Sequence, residues 1–590
     1  MKEKYLKTIY DNQTDKIVKI VDEKYLLNSK YKIGKIILSN KIALFQDLTT
    51  SKQDIIIEFN KLNGAYSNDV VLVQVIFNPK GKIKAKVISI LDRAVTKILC
   101  IVKNKELHTI KENIFIDCDL VNNQDGDVVI FQDGKIIQKF GNITNPKLDE
   151  QISLYLYNEF YRLDKDIDLP FNTPDLSNRI DLTHLDFSTI DPASAKDHDD
   201  AIYYDSQTKE LYVAIADVSA YVKEDSELDK LAFKKSFSIY LPNKVLPMLP
   251  FELSTDLCSL VPNQKRLAYV FKMRLDTKKA TVISSEVFEA IIESKNKYSY
   301  EYIDDVLKKD DKSNPNNVLY EVTKKFRKKR LQNGYDFRSD EIRLILDNEE
   351  NLKGFNVEHS SPSHSLVEEC MLLANQEAAK KLELLGIYRV HDEPSSAKIK
   401  KLIDDVNLLG INAQLKKDVH TTIVSIQQKA KNSGMENEID ELIIQSQQQA
   451  KYSNIKQQHF GLGFKDYSHF TSPIRRYADL VLHRILKTKT VRKDIETVCE
   501  EISIKEREIA LLVWDYEDRK YARWASKNIG TTVEAKIVDI VNHTVKLEDK
   551  AKGARVTIEN YSGEKLFSII SVKIVSSDIV SKKIVAKVIY

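Results

Sequence analysis

No two of the five cysteines stand close enough to form a Cys-x-x-Cys pair; Cys100, Cys118, Cys258, Cys370 and Cys499 are scattered over the chain. That scatter disfavours a zinc site or a disulfide framework and fits a reducing compartment. Long apolar runs are also lacking. No stretch of about 18 apolar residues occurs, and the opening Met1-Lys-Glu-Lys-Tyr5 leads into no hydrophobic signal core. A cytoplasmic protein with no membrane partner is therefore expected. Nor is one sign of charge in excess: 90 Lys+Arg against 87 Asp+Glu leave a net charge of +3. Bulk charge announces no polyanionic partner, so any nucleic-acid path must come from local clustering.

What the chain does have is length and an ordinary globular composition. Its 590 residues, 42% hydrophobic and 30% charged, call for several domains rather than one. From about 32 to 93 short β-rich runs such as Lys35-Ile-Ile-Leu38 and Val70-Val-Leu-Val-Gln-Val75 alternate with turns such as Asn63-Gly64 and Pro79-Lys-Gly81. A second set follows to about 147. Five or so short strands, twice over, suggest two small barrels of the OB or cold-shock type. Residues 1–150 carry 24 Lys+Arg against 19 Asp+Glu, only mildly basic. Stacking aromatics are few there, with Phe45, Tyr66 and Phe77 the candidates. Strand and helix patterns mix from 181 to 490, where 365–385 places Leu366, Cys370, Met371, Ala374 and Ala378 at helical spacing. Beyond 528 the pattern is β-rich again.

One stretch dominates the chain: Ser188-Thr-Ile-Asp191-Pro-Ala-Ser-Ala-Lys-Asp197-His-Asp199-Asp200. Four carboxylates this close repel one another, and a fold tolerates that mainly when cations fill the gap. Carboxylate oxygens are the hard ligands that suit Mg²⁺ or Mn²⁺, with positions left open for waters and phosphates. A solvated acidic loop is the ordinary explanation of such a cluster. A calcium loop fails on spacing: counted from Asp197, Ile202 stands where Gly is needed and Thr208 where Glu is needed.

The segments that follow decide between these. They are Leu211-Tyr-Val-Ala-Ile-Ala-Asp217, Ser238-Ile-Tyr240-Leu-Pro242, Leu257-Cys258-Ser-Leu-Val-Pro262, His459-Phe-Gly-Leu-Gly463 and His469-Phe-Thr-Ser-Pro-Ile-Arg475-Arg476-Tyr477-Ala-Asp479. In this order the series resembles the ribonuclease II / ribonuclease R family, processive 3′→5′ exoribonucleases. The resemblance implies a multidomain α/β and β fold. Its parts are two N-terminal OB/cold-shock-like barrels (32–93 and 94–147, after a lead at 1–31), a connector at 148–180 and a central α+β RNB catalytic domain at 181–490. A helical extension at 491–528 and a short S1-like OB barrel at 529–590 complete it. It implies hydrolysis of single-stranded RNA to nucleoside 5′-monophosphates by a monomer with no obligate protein partner, Mg²⁺ serving as cofactor and Mn²⁺ able to replace it.

Carried over residue by residue, the resemblance makes Asp191, Asp197, Asp199 and Asp200 the metal-binding set, with Asp199 also the catalytic carboxylate. Arg475 becomes the phosphate-directed catalytic arginine. A guanidinium suits that task because its planar fork stays charged at any working pH. Arg476 is its neighbour, expected against RNA or an acidic side chain. Tyr240 falls where the family places an aromatic that stacks on the 3′-terminal base, which accepts any nucleotide because every base has a π-face. Two departures stand out. Pro394 occupies the place of a second clamping aromatic, and Val513 that of an assisting Glu, with Glu508, Asp515 or Glu517 nearby. His391, Glu368 and Glu369 are read as structural. Two competing classes are a non-enzymatic RNA-binding protein and a phosphodiesterase of another type.

Overall fold

The computed structural model describes residues 2–12, 17–21, 24–38, 42–48, 54–77, 83–93, 97–157, 169–337 and 341–589. The expected turn at 79–81 lies outside them, as do residues 158–168 of the connector. Two compact units are present, residues 1–152 with 578–581, and residues 153–577 with 582–590.

In the first unit, helix Lys2–Asn12 and the hairpin Val18–Val21/Lys24–Leu27 precede a closed five-stranded barrel. Its strands are Tyr31–Leu38, Ala43–Asp47, Ile55–Ile57, Val70–Phe77 and Ile83–Asp92. Period-2 alternation sends Ile36, Phe45, Val71, Val73 and Val87 inward, all fully buried. Phe45 is therefore core and cannot stack on a base, which corrects the expectation from sequence. Gly34 makes room for it, since a Cβ there would stand 2.5 Å from the Phe45 ring. Tyr66 is half-buried with the Arg93 guanidinium 4.9 Å from its ring centre, and the Phe77 side chain lies outside the described residues. A five-stranded sheet follows, in the order Phe115–Ile116, Glu106–Thr109, Ile98–Lys103, Asp127–Gln132, Lys135–Asn142.

The second unit is built on one long strand. Thr281–Ser299 pairs antiparallel with Lys265–Asp276 over its first part and parallel with Phe187–Asp191 over its last. Strands Asp200–Asp205 and Glu210–Ala216 complete the ring back to Lys265–Asp276. The parallel register puts Ser299 opposite Asp191. Helices Pro362–Lys381 and Tyr477–Thr488 pack into the core, where Leu366, Cys370, Ala374, Leu480 and Leu482 are wholly buried. A second closed five-stranded barrel, Thr532–Asp539 to Lys583–Val588, shares its core with the end of helix Ile495–Lys527 through Tyr521, Ala522 and Ala525. Among the described residues no helix is long and apolar enough to cross a membrane.

Candidate active site

Strand Phe187–Asp191 drives Phe187 and Ile190 into the core and ends on Asp191; the next strand opens on Asp200. The turn between them carries Asp197 and Asp199, and a segment sixty residues away fixes it. The His198 N–H donates to Ser259 Oγ at 2.9 Å, and Ser259 Oγ donates to the Lys196 carbonyl at 2.8 Å. The Leu260 N–H reaches the His198 carbonyl at 3.0 Å, and the Ala216 N–H reaches that of Asp199 at 2.8 Å. The Cys258-Ser-Leu260 segment thus acts as a backstop for the aspartate turn.

Each carboxylate has its own surroundings. Asp191 Oδ2 accepts from Nδ1 of buried His198 at 2.6 Å. Asp197 Oδ2 accepts from the Tyr240 hydroxyl at 2.8 Å. Asp199, only 4% exposed, accepts from the Ile474 N–H at 2.9 Å and from Arg475 Nε at 3.3 Å. Burial pushes its carboxyl up to about 7 against the pull of Arg475 and the Ile474 amide. Burial and then the neighbouring charges of Asp191 and Asp199 hold Asp200 well above the ordinary carboxylate range. Negative charge is crowded here, and one guanidinium bonded to Asp199 is its nearest fixed answer.

The two arginines divide their work. Arg475 donates to Asp199 and, through Nη2, to Ser472 Oγ at 3.1 Å, while its side chain stays 46% exposed. Arg476 turns its fork onto buried Asp479, at 2.9 and 2.7 Å. That carboxylate also accepts the Ser472 N–H at 2.8 Å. Of the two partners expected for Arg476, RNA or an acidic side chain, the acid is the one it holds. The same turn is tied to the Tyr240 hairpin: the Ser238 N–H donates to the Arg475 carbonyl at 3.0 Å and the Tyr477 N–H to that of Ser236 at 2.8 Å. Tyr240 itself, on strand Ile239–Leu241, is 44% exposed.

Other residues singled out from sequence resolve as structure. His391 Nδ1 accepts from the Gly461 N–H, so Nε2–H donates to the Gln448 carbonyl, and burial lowers the ring's pKa. Glu369 is buried against Arg330. Asp217 is buried between Arg179 and Lys487, which hold its carboxyl far below the usual range despite burial. Asp515 is enclosed by Arg519, Lys582 and Ser153. Tyr300 was missed. It follows Ser299, the register partner of Asp191; burial and then the charges of Asp200 and Asp191 raise its hydroxyl pKa, and its ring stacks on His364 at 3.8 Å.

Among the described residues no group of three or more His, Cys, Asp or Glu side chains forms a ready cation cage. The donor set nevertheless fits a hard divalent ion. Four carboxylates sit within ten residues, two of them desolvated and mutually repelling, and Arg475 is the guanidinium bonded among them. Soft ligands are not among them.

The RNB domain family matches residues 179–490, and the family described as ribonuclease R, OB first domain, N-terminal, matches residues 1–86. Ribonuclease R of Helicobacter pylori (strain ATCC 700392 / 26695) is 34% identical over 471 residues, covering 76% of this chain and 72% of that protein. The apo form of Mycoplasma genitalium RNase R superposes with a TM-score of 0.82 at 24% identity, over 94% of this chain and all of that one. The same enzyme in complex with double-stranded RNA gives 0.74 at 26% identity, over 85% and 97%. RNB-domain ribonucleases are generally dependent on divalent metal. Matching in the central domain, in the first barrel and over most of its length, the chain belongs to the ribonuclease R family of 3′→5′ exoribonucleases.

Proposed function

We propose that this chain removes nucleotides one at a time from a free RNA 3′ end as nucleoside 5′-monophosphates, with Mg²⁺ as the working ion and Mn²⁺ able to replace it. The observation that carries the reading is the Asp199–Arg475 contact, made by residues 276 positions apart. Asp191, Asp197, Asp199 and Asp200 are the residues that would hold the ion. Bound there, a divalent ion lowers the pKa of an attacking water and neutralises charge on the phosphate.

The protein's own groups do the rest. The Ile474 N–H fixes Asp199 Oδ1, so the carboxylate keeps its orientation when Arg475 leaves it for substrate. The 3.3 Å contact is long and the guanidinium half-exposed, so Arg475 can swing to two phosphate oxygens. Tyr240 presents its ring for the terminal base. The setting proposed is the cytoplasm, where the five free thiols stay reduced, and the acting form is the monomer. Structured RNA is within reach of the reading, because a relative of this fold has been solved with duplex RNA.

The test is a 5′-labelled oligonucleotide with Mg²⁺, with and without a 3′ block, beside a duplex bearing a 3′ overhang. A stepwise ladder that the 3′ block abolishes is expected. Cleavage that ignores the block, or none at all, would refute the reading.

A further inference from the structure

A cavity of about 700 Å³ opens on the sheet, and none of the four aspartates lines it. Ser188 faces Ile202 and Asn296 across the strands, and Ile190 faces Tyr298, so these residues share one face. Asp191, one position on from Ile190, points to the other face. Tyr204 and Ser188, each 9% exposed, have hydroxyls that open on the cavity with no hydrogen-bond partner among the described residues. They are polar groups built into a wall and left for something else to meet.

The charge of the cavity has one sign. Asp186 and Asp205 line it, and none of the lining residues described is basic. Asp205 accepts the Gln207 and Thr208 N–H groups through Oδ1, and the Thr208 side chain also bonds its carboxylate. Asp186 makes no side-chain bond among the described residues. Asp186 bears on Tyr298 and Asp205 on Tyr204, and both acids act on Tyr203 as well. Burial, then Tyr302 and Asp186, raise the pKa of Tyr298; burial, then Asp205, raise that of Tyr204. Helix Pro315–Arg330 begins at the rim and brings a fractional positive charge, about half a unit. Asn314 caps it by accepting the Asn316 N–H at 2.9 Å. Two full carboxylates outweigh it.

We infer that this cavity is a binding site for an aliphatic di- or polyamine, one ammonium beside Asp186 and Tyr298 and another beside Asp205 and Tyr204. An ammonium is drawn both to a carboxylate and to an aromatic face, and the unpartnered hydroxyls accept its N–H donors. A single hydrated metal ion would leave most of 700 Å³ and the apolar walls Ile190, Ile202 and Leu319 unused. A nucleotide phosphate would meet two carboxylates and no cation.

Calorimetric titration of the full chain with spermidine and with putrescine, at fixed ionic strength, tests this. Saturable binding is expected. Asp186→Asn with Asp205→Asn should weaken it about tenfold or more, because each lost ion pair removes a favourable contact. The amide oxygen introduced by Asp205→Asn still accepts the two N–H groups of the turn. The exposed pair Glu496→Gln with Glu500→Gln removes equal charge on the helix beginning at Ile495 and should leave binding unchanged. Tyr298→Leu, which keeps an apolar wall and removes the π-face, should weaken binding in the same sense as the aspartate pair. Equal weakening by both charge pairs, no weakening by either, or adenosine binding to the site where the amines do not, would each overturn the assignment.

Discussion

The Tyr240 hydroxyl donates to Asp197 Oδ2 at 2.8 Å, so the aromatic proposed to stack on the terminal base also steadies a carboxylate proposed to hold the metal. The two roles separate by substitution. Tyr240→Ala removes a stacking face worth about 1–3 kcal/mol per base and should lengthen the end product while long RNA is still attacked. Tyr240→Phe keeps the face and should keep the end product. A gel ladder of a labelled oligonucleotide reads both; identical ladders for parent and Ala variant would count against stacking.

Asp199→Asn keeps the acceptor that meets the Ile474 N–H and removes the charge. RNA affinity should survive, and hydrolysis should fall by about 10²-fold or more. Single-turnover rates with saturating enzyme separate the two, and near-parent turnover would remove Asp199 from the chemistry.

Arg475→Ala should cost turnover on the same scale, about 10²-fold, with a small change in affinity. Arg475→Lys should not restore it, because an ammonium cannot present a planar fork to two oxygens. Full rescue by lysine would reduce Arg475 to a point charge.

For Arg476 the expected loss is stability. Its removal leaves Asp479, wholly buried, without its ion partner; breaking such a pair from one side costs about 3–5 kcal/mol. The denaturation midpoint of Arg476→Ala should fall accordingly. An unchanged midpoint with weakened RNA binding would make Arg476 an RNA contact after all.

Ser259 never touches the proposed reacting groups, yet it bonds the aspartate turn at His198 and Lys196. Ser259→Ala should lower turnover and leave KM nearly unchanged, while Ser259→Thr, which keeps the hydroxyl, should recover part of the rate. A proportional loss in KM alone would show that the backstop positions substrate and not the carboxylates.

How much of this was legible depends on sequence distance. The aspartates lie within ten residues, and strand patterns on either side told where the turn falls. The burial of Phe45 is also written locally, since Ala43 and Phe45 alternate with Leu44 and Gln46 and share one face of their strand. By contrast, nothing local marks Ser259 as the partner of His198, or Tyr300 as a neighbour of Asp191. The first exists only once the Cys258-Ser-Leu260 segment folds back on the turn, the second only once a parallel strand pair has chosen its register. Arg476 shows the limit in another form. Adjacent arginines look alike as letters, and only the position of Asp479 one helical turn later sends one of them inward.

The bond from the Ile474 amide to Asp199 spans 275 positions, which has a consequence for a nuclease emerging from a ribosome on its own message. At about 5–20 residues per second, the arginine turn trails the aspartates by roughly 14 to 55 seconds of synthesis. During that interval the carboxylates have neither their amide nor their guanidinium. If Asp199 and Arg475 act together as proposed, a chain ending before Ile474 carries only the acidic half of the site and is expected to be inert.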